Sequence, residues 1–506
     1  MPEPPGGLTF SSAPGRWVLL ATVLGSGLAA IDATAVGVAL PAIGRDFDTD
    51  LASLQWVVTA YTLTLAGLLL VGGSLGDRYG RRRVFTLGVG WFAVASLLCG
   101  LAPNASALIG ARALQGVGAA LLTPGSLAIL QASFAERDRS RAIGAWSGLS
   151  GVTTAVGPFL GGWLVSAVSW RLIFFINLPL AVVVIAVAAR HVPESTDPAA
   201  PRRIDLTGAG LVTLGLVGLS YGLIEGPASG WTSPLVIVPL LLGVLLLAAF
   251  VVAERRTAEP MLPPGLFSSR QFTAANLVTF AVYAALGGAL FLLPIQLQQV
   301  DGYSPIAAGT ALLPVTILML ALSSRSGALA DRIGPRLQMS AGPLVAAAGL
   351  ALLSRAGQSD GYLRDVLPAV AVLGLGLAIT VAPLTSTALG AAPAEHAGVA
   401  SAVNNDVART AQLLAVAVLP AAAGLAGAAY LDAAVFDRGF RVAVWICAAL
   451  CAAGGLAAVA GIRNPARPAE PAPAAAPAFS GERARPPHCC ALDATPVAPS
   501  PAIRQR

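Results

Sequence analysis

The chain of 506 residues contains no lysine, and all 31 of its basic residues are arginine. A Walker A loop needs a lysine that reaches the β- and γ-phosphates, so an ATP-driven pump is not expected within this chain. Schiff-base chemistry lacks its amine for the same reason. Histidine is nearly absent: His191, His396 and His488 fall in loops or the tail, which leaves no histidine relay inside an apolar segment. The five cysteines form neither a disulfide framework nor a metal site. Cys99, Cys447 and Cys451 lie in apolar runs and read as small packing residues, while Cys489 and Cys490 lie near the end of the chain. Charge is scarce as well, at 11% of residues against about 25% for a soluble domain. A chain this long and this uncharged has no surface suited to water.

Apolar residues fill that gap. They make up 56% of the chain, and the mean hydropathy is +0.75. A span needs roughly 20 apolar residues to cross about 30 Å of hydrocarbon, so fourteen spans would take about 280 residues. The reading is an all-α integral membrane protein with spans near 17–40, 52–72, 84–102, 105–130, 141–165 and 170–189. Two more lie near 206–224 and 234–253. A last six lie near 273–299, 305–327, 337–356, 366–389, 401–426 and 440–462. Residues 1–16 form a polar N-terminal segment with no cleavage site after a short apolar core, so the first span is expected to be retained. From 463 to 506 the chain is rich in proline and alanine and is expected to be disordered.

The net charge of +6 is spread over short loops, which argues against nucleic acid as a partner. The arginines instead set orientation by the positive-inside rule. With the N-terminus inside, inner segments hold 23 arginines, outer loops hold six, and Arg112 and Arg409 remain within spans. Both termini are therefore expected in the cytoplasm, with the chain in the plasma membrane.

A repeat organises the spans. GSLGDRYGRR begins at Gly73 after the second span, and GALADRIGPR begins at Gly327 after the tenth. Gly73, Asp77, Arg78 and Gly80 thus correspond to Gly327, Asp331, Arg332 and Gly334. Two six-helix bundles (17–189 and 273–462) joined by a linker with two extra membrane helices (190–272) account for this spacing. Repeated halves with a site at their interface are the usual plan of secondary transporters. The glycines permit a tight turn, and Asp77 beside Arg81 can cap a helix end or pair across the halves as a conformational latch. The second copy has Pro335 where the first has Arg81, which marks it as the weaker latch.

This loop resembles the signature of the major facilitator superfamily. Four further stretches are similar to its fourteen-span drug:proton antiporter family: IDATAVGVALP (31–41), LQWVVTAYTL (54–63), RALQGVGAA (112–120) and GVTTAVGPFLGG (151–162). The resemblance extends to about residue 462. It implies a proton-coupled antiporter that exports drug- or antibiotic-like compounds, working as a monomer with the proton gradient as its energy source and no cofactor. It also implies that Gly151, Gly157, Pro158, Gly161 and Gly162 form the antiporter motif; from the residues alone they read as close helix packing with a proline bend.

Asp32 is the first candidate for proton coupling, because a carboxylate inside a span costs roughly 2.5–3.5 kcal/mol and is retained for function. Arg112 is its expected partner. Both lie some seven or eight residues from the outer face, roughly 10–12 Å deep at 1.5 Å per residue. Gln55, Trp56, Tyr61, Gln115 and Asn404 are candidates to line a cavity, with an interfacial belt as the other reading of Trp56. Asp406 and Arg409, three apart, are expected to pair on one helix face, with a gate or substrate contact as the other reading, and Glu225 is expected in solvent. The competing readings are a symporter or facilitator of a metabolite, a non-transporting sensor, and a membrane-embedded enzyme; no set of paired midplane acids or output domain favours the last two.

Overall fold

A computed structural model describes residues 7–198, 204–257, 260, 262–357, 361–392, 397–425, 427 and 431–464. The proline-rich tail beyond residue 464, with Cys489 and Cys490, lies outside the described residues. Helices dominate, and the one β-contact among the described residues is an isolated bridge between Leu8 and Phe134.

The first six helices are α1 (Ala13–Phe47), α2 (Leu51–Tyr79), α3 (Arg81–Gly100), α4 (Ala105–Ser133), α5 (Glu136–Ala167) and α6 (Leu172–His191). Two more follow, α7 (Leu206–Ser229) and α8 (Pro234–Arg256). The last six are α9 (Arg270–Gln299), α10 (Pro305–Ile333), α11 (Pro335–Arg355), α12 (Tyr362–Gly390), α13 (Ala397–Ala422) and α14 (Ala433–Gly461). Thirteen of them are long and apolar enough to cross a bilayer. The remaining one, α13, has 26 residues, about 39 Å of helix. Its apolar run is broken by Asn404, Asn405, Asp406 and Arg409.

Local chemistry marks the helix starts. Ser12, Asp50, Asn104, Asp205, Ser269 and Asp432 each accept a backbone N–H of the first turn, the role that short polar side chains fill at helix N-termini. The helices outrun the apolar stretches read from sequence. Arg332, beyond the span read at 305–327, lies within α10 on its exposed surface.

Each set of six packs chiefly within itself: α2 on α4, α3 on α4 and α1 on α5 in the first half, α11 on α12, α9 on α14 and α9 on α13 in the second. The hairpin α7–α8 stands beside them. Its first helix touches both α2 and α13, with Leu216 packed between Leu63 and Leu413, so it covers the seam where the halves meet.

The halves are joined at one end. Where α1 turns into α2, a single apolar cluster runs from Val36, Leu40 and Leu54 through Leu292, Ile295 and Ala415. Gln55 donates to the Val416 carbonyl at 2.6 Å, Gln298 to the Val38 carbonyl at 2.9 Å, and the Ile306 amide to Ser166 Oγ at 3.3 Å. At the opposite end the first half has its own core of Phe85, Phe92 and Phe134, and the second has its own of Phe272, Ala400 and Val403. Among the described residues no hydrogen bond or ion pair joins the halves there. Helix α5 follows the same division, burying Gly157, Gly161, Gly162 and Leu164 toward the joined end and only Ala142 in its first five turns.

Candidate functional site

Asp32 and Arg112 meet. Asp32 is fully enclosed and Arg112 is 1% exposed, and Arg112 Nη1 makes an ion pair with Asp32 Oδ2. A buried charge pair is stable only when the remaining lone pairs and protons also find partners. Here they do. Gln115 Nε2 donates to Asp32 Oδ1 at 2.8 Å and lies 2.8 Å from Ser96 Oγ; Asn177 Nδ2 donates to the same carboxylate oxygen at 3.2 Å. The guanidinium gives its Nε–H to the Val57 carbonyl at 3.1 Å, and its carbon lies 4.2 Å from the Tyr61 ring centre. Five helices (α1, α2, α3, α4 and α6) thus converge on one carboxylate. Asn177 and Ser96 were not singled out from sequence. The available signal was a lone amide and a lone hydroxyl inside strongly apolar runs.

The glycines of the 151–162 stretch serve this site in two ways. A Cβ on Gly161 would stand 2.8 Å from Ala35 Cα, and one on Gly157 would strike Thr34. Both therefore let α5 lie close against the turn of α1 that follows Asp32. Gly162 instead faces Pro305 and Ile306 of the other half, and Pro158 sits beside Gly309, so these two belong to the joined end. Gly151 is looser, with Leu320 as its nearest neighbour at 3.5 Å.

The repeated turn is built the same way twice and tied differently. Gly80 has φ +111° and Gly334 has φ +85°, a left-handed backbone that glycine adopts without strain. Gly73 and Gly327 each pack against the fourth helix of their own half, at Pro124 and Ala382. In the first copy Arg81 Nε donates to Asp77 at 2.8 Å, and Glu194 accepts the Arg82 amide at 3.0 Å while facing the side chains of Arg82 and Arg83 at 3.6 Å. In the second copy Asn464 takes the place of Glu194, accepting the Arg336 amide at 3.0 Å and donating to the Ile333 carbonyl at 3.2 Å. Asp77 therefore pairs within its own turn in this structure, and not across the halves as the latch reading expects. Arg78 lies over the ring of its neighbour Tyr79, and Asp331 and Arg332 sit in the last turn of α10.

The other candidates divide. Gln115 and Tyr61 belong to the Asp32 network. Gln55 ties α2 to α13 at the joined end. Asn404 donates to Asn276 and Thr279 of α9 and is packed inside the second half. Trp56 Nε1 donates to Glu225 at 3.1 Å and its ring lies 6.2 Å from that of Tyr221, which fastens α2 to α7. Glu225 is accordingly half-buried and bonded, contrary to the expectation of a solvated side chain. Asp406 and Arg409 make no ion pair within 4.0 Å among the described residues.

Comparison with known proteins agrees with this architecture. The profile of the Major Facilitator Superfamily matches residues 22–415. The puromycin resistance protein pur8 of Streptomyces alboniger is 40% identical over 83% of this chain and 84% of its own. The tetracenomycin C resistance and export protein of Streptomyces glaucescens is 36% identical over 82% and 78%. The multidrug resistance protein Stp of Mycobacterium tuberculosis (strain ATCC 25618 / H37Rv) is 39% identical over 76% and 71%. Among solved structures, peptide transporter POT in complex with sulfate superposes with a TM-score of 0.65 over 90% of this chain and 96% of its own, at 15% identity. A D-xylose-proton symporter does so with a TM-score of 0.63 over 89% and 98%, also at 15% identity. These two show the fold alone. Over most of its length, the chain belongs to the Major Facilitator Superfamily.

Proposed function

We propose that this multi-pass membrane protein exports antibiotic-like small molecules in exchange for protons. The observation that carries the coupling is the enclosed Asp32 carboxylate, held by Arg112, Gln115 and Asn177 in the middle of five helices. An acid enclosed there exchanges a proton only when those partners separate. Protonation removes its charge, releases Arg112 to its remaining partners, and so couples proton binding to the packing of α1 against α4. The resistance and export proteins that resemble the chain supply the substrate class and the direction.

In this reading the joined end faces outside, both termini lie in the cytoplasm, and the structure is the state that receives its substrate from within. Gln55, Gln298 and the Gly162–Pro305 contact must part for release to the exterior. The protein works as a monomer in the plasma membrane and draws on no cofactor beyond the proton gradient.

Inverted membrane vesicles test this directly. With an acid-inside gradient, vesicles carrying the protein are expected to accumulate puromycin, and an uncoupler to abolish the uptake. Asp32→Asn, which keeps the shape of the carboxylate and loses the proton, is expected to reduce gradient-driven uptake to that of membranes lacking the protein. Full gradient-driven uptake by Asp32→Asn would sink the assignment. Uptake only under an acid-outside gradient would point to symport.

A further inference from the structure

Helix α13 carries an aspartate and an arginine in a span, one turn apart, and neither is accounted for by the network around Asp32. Asp406 and Arg409 are both half-buried, and Asp406 Oδ1 and Arg409 Nε are cut off from solvent with no hydrogen-bond partner. Residues three apart on a helix are neighbours, yet these two make no ion pair within 4.0 Å among the described residues. Within a membrane a guanidinium stays charged and carries five donors in a planar fork suited to a carboxylate. Leaving it without an anion is costly unless a transient partner fills the gap.

The surroundings of Arg409 say where that partner sits. Its helix, α13, packs against α9 of its own half and against α2 of the first half, the helices that carry Tyr283 and Tyr61. The Arg112 guanidinium lies against the Tyr61 ring. Arg409 thus stands in the second half on a helix that meets the first half at α2. Arg112 is not available to an incoming anion, because Asp32 already occupies it. Of the two arginines read within spans, Arg409 is the one without an ion pair among the described residues, and its helix packs on α2 at the seam between the halves.

We infer that Arg409 is the docking group for an acidic function on the exported molecule: a carboxylate, or an ionised phenol or enol, brought to the seam where α13 meets α2. This rests on the export reading above and adds organic acids and zwitterions to its substrate class.

The test uses the full chain in inverted vesicles under an acid-inside gradient, with a panel of antibiotic-sized aromatic and alicyclic carboxylic acids, each paired with its methyl ester, and with puromycin as a cationic probe. The wild type is expected to accumulate at least one acid about tenfold over its ester, the scale of one charge-assisted hydrogen-bonded pair. Arg409→Gln should remove that preference while sparing uptake of puromycin, and Arg409→Lys should retain part of it. Normal elution and unfolding temperature of the variants would show that they fold. If the wild type moves puromycin and esters but none of the acids, the acidic class is overturned and export stands. If Arg409→Gln keeps the full acid preference, Arg409 is not the docking group. If the wild type accumulates no member of the panel in any form, the export reading falls and this one with it.

Discussion

The two halves of this molecule share a fold and a turn motif but treat buried charge in opposite ways. In the first half, an aspartate and an arginine from different helices are locked together, and both carboxylate oxygens of the aspartate accept hydrogen bonds. In the second half, an aspartate and an arginine on one helix that packs at the seam leave polar atoms unmatched. A satisfied pair is a structural and switching element, since it changes state only when something displaces a partner. An unsatisfied pair is a receptor, since it gains by being met. The same division separates the turns, where carboxylates tie the first copy and a neutral amide ties the second.

The largest expected effect comes from cutting the matched pair. Asp32→Ala leaves Arg112 buried without its anion, which costs about 3–5 kcal/mol. Asp406→Ala removes a carboxylate that holds no ion-pair partner and is expected to stay within about 0.5 kcal/mol. Thermal unfolding of the two variants in one detergent reads the contrast. Equal losses would erase the distinction between the halves.

Next comes the packing of α5. Gly161→Val places two methyl groups against Ala35 and is expected to cost about 1–3 kcal/mol, with loss of transport, because α1 carries Asp32. Gly151→Ala meets only Leu320 at ordinary contact distance and should be neutral in both respects.

What could be read from the sequence follows the range of the interactions. Asp32 and Arg112 were legible because ionisable residues are rare in spans and their depth follows from helix rise. The turns at Gly80 and Gly334 were legible because a left-handed residue demands glycine. Asn177 and Ser96 were not, since a single polar residue in an apolar run does not announce which distant helix it faces. Glu194 and Asn464 escaped for a related reason. Each follows the last helix of its half and folds back on a turn more than a hundred residues earlier, at positions that no local pattern links. The contact of Trp56 with α7 was not legible because this seam helix belongs to neither bundle, and repeat spacing alone does not say where an insertion packs.

A smaller effect distinguishes the turns. Glu194→Ala removes an amide acceptor and two partly exposed ion pairs, about 1–2 kcal/mol together, and Asn464→Ala removes two neutral hydrogen bonds, about 1–2 kcal/mol. Their sizes overlap, but their salt dependence does not. Raising ionic strength from 0.1 to 1 M shortens the screening length from about 10 to about 3 Å. The penalty of Glu194→Ala should shrink accordingly and that of Asn464→Ala should hold. A salt-independent Glu194 effect would mean that its backbone contact carries all of the stabilisation.

The smallest effect lies at the joined end, beyond the last turn of α9. Burial lifts the Asp301 carboxyl from its ordinary range to about 6, with the charges of Asp437 and Asp365 adding to the shift. A carboxyl raised in the folded state opposes folding when ionised, so the penalty is present above pH 6 and is relieved as the pH falls through 6 toward 4. Because Asp301 is only half-buried, solvent screens much of this. The unfolding temperature should rise by no more than about 2 °C between pH 7 and pH 5 on its account. Asp301→Asn should remove that increment and, at pH 7, stabilise the joined end by a similar amount. The second half has no matched partner for this carboxylate, and it leaves Asp301 as it leaves Arg409, with its charge uncompensated. If Asp301→Asn instead lowers the unfolding temperature at pH 7, then the ionised group is being held by a cation, and the contrast between a matched and an unmatched half stops at the membrane-spanning region.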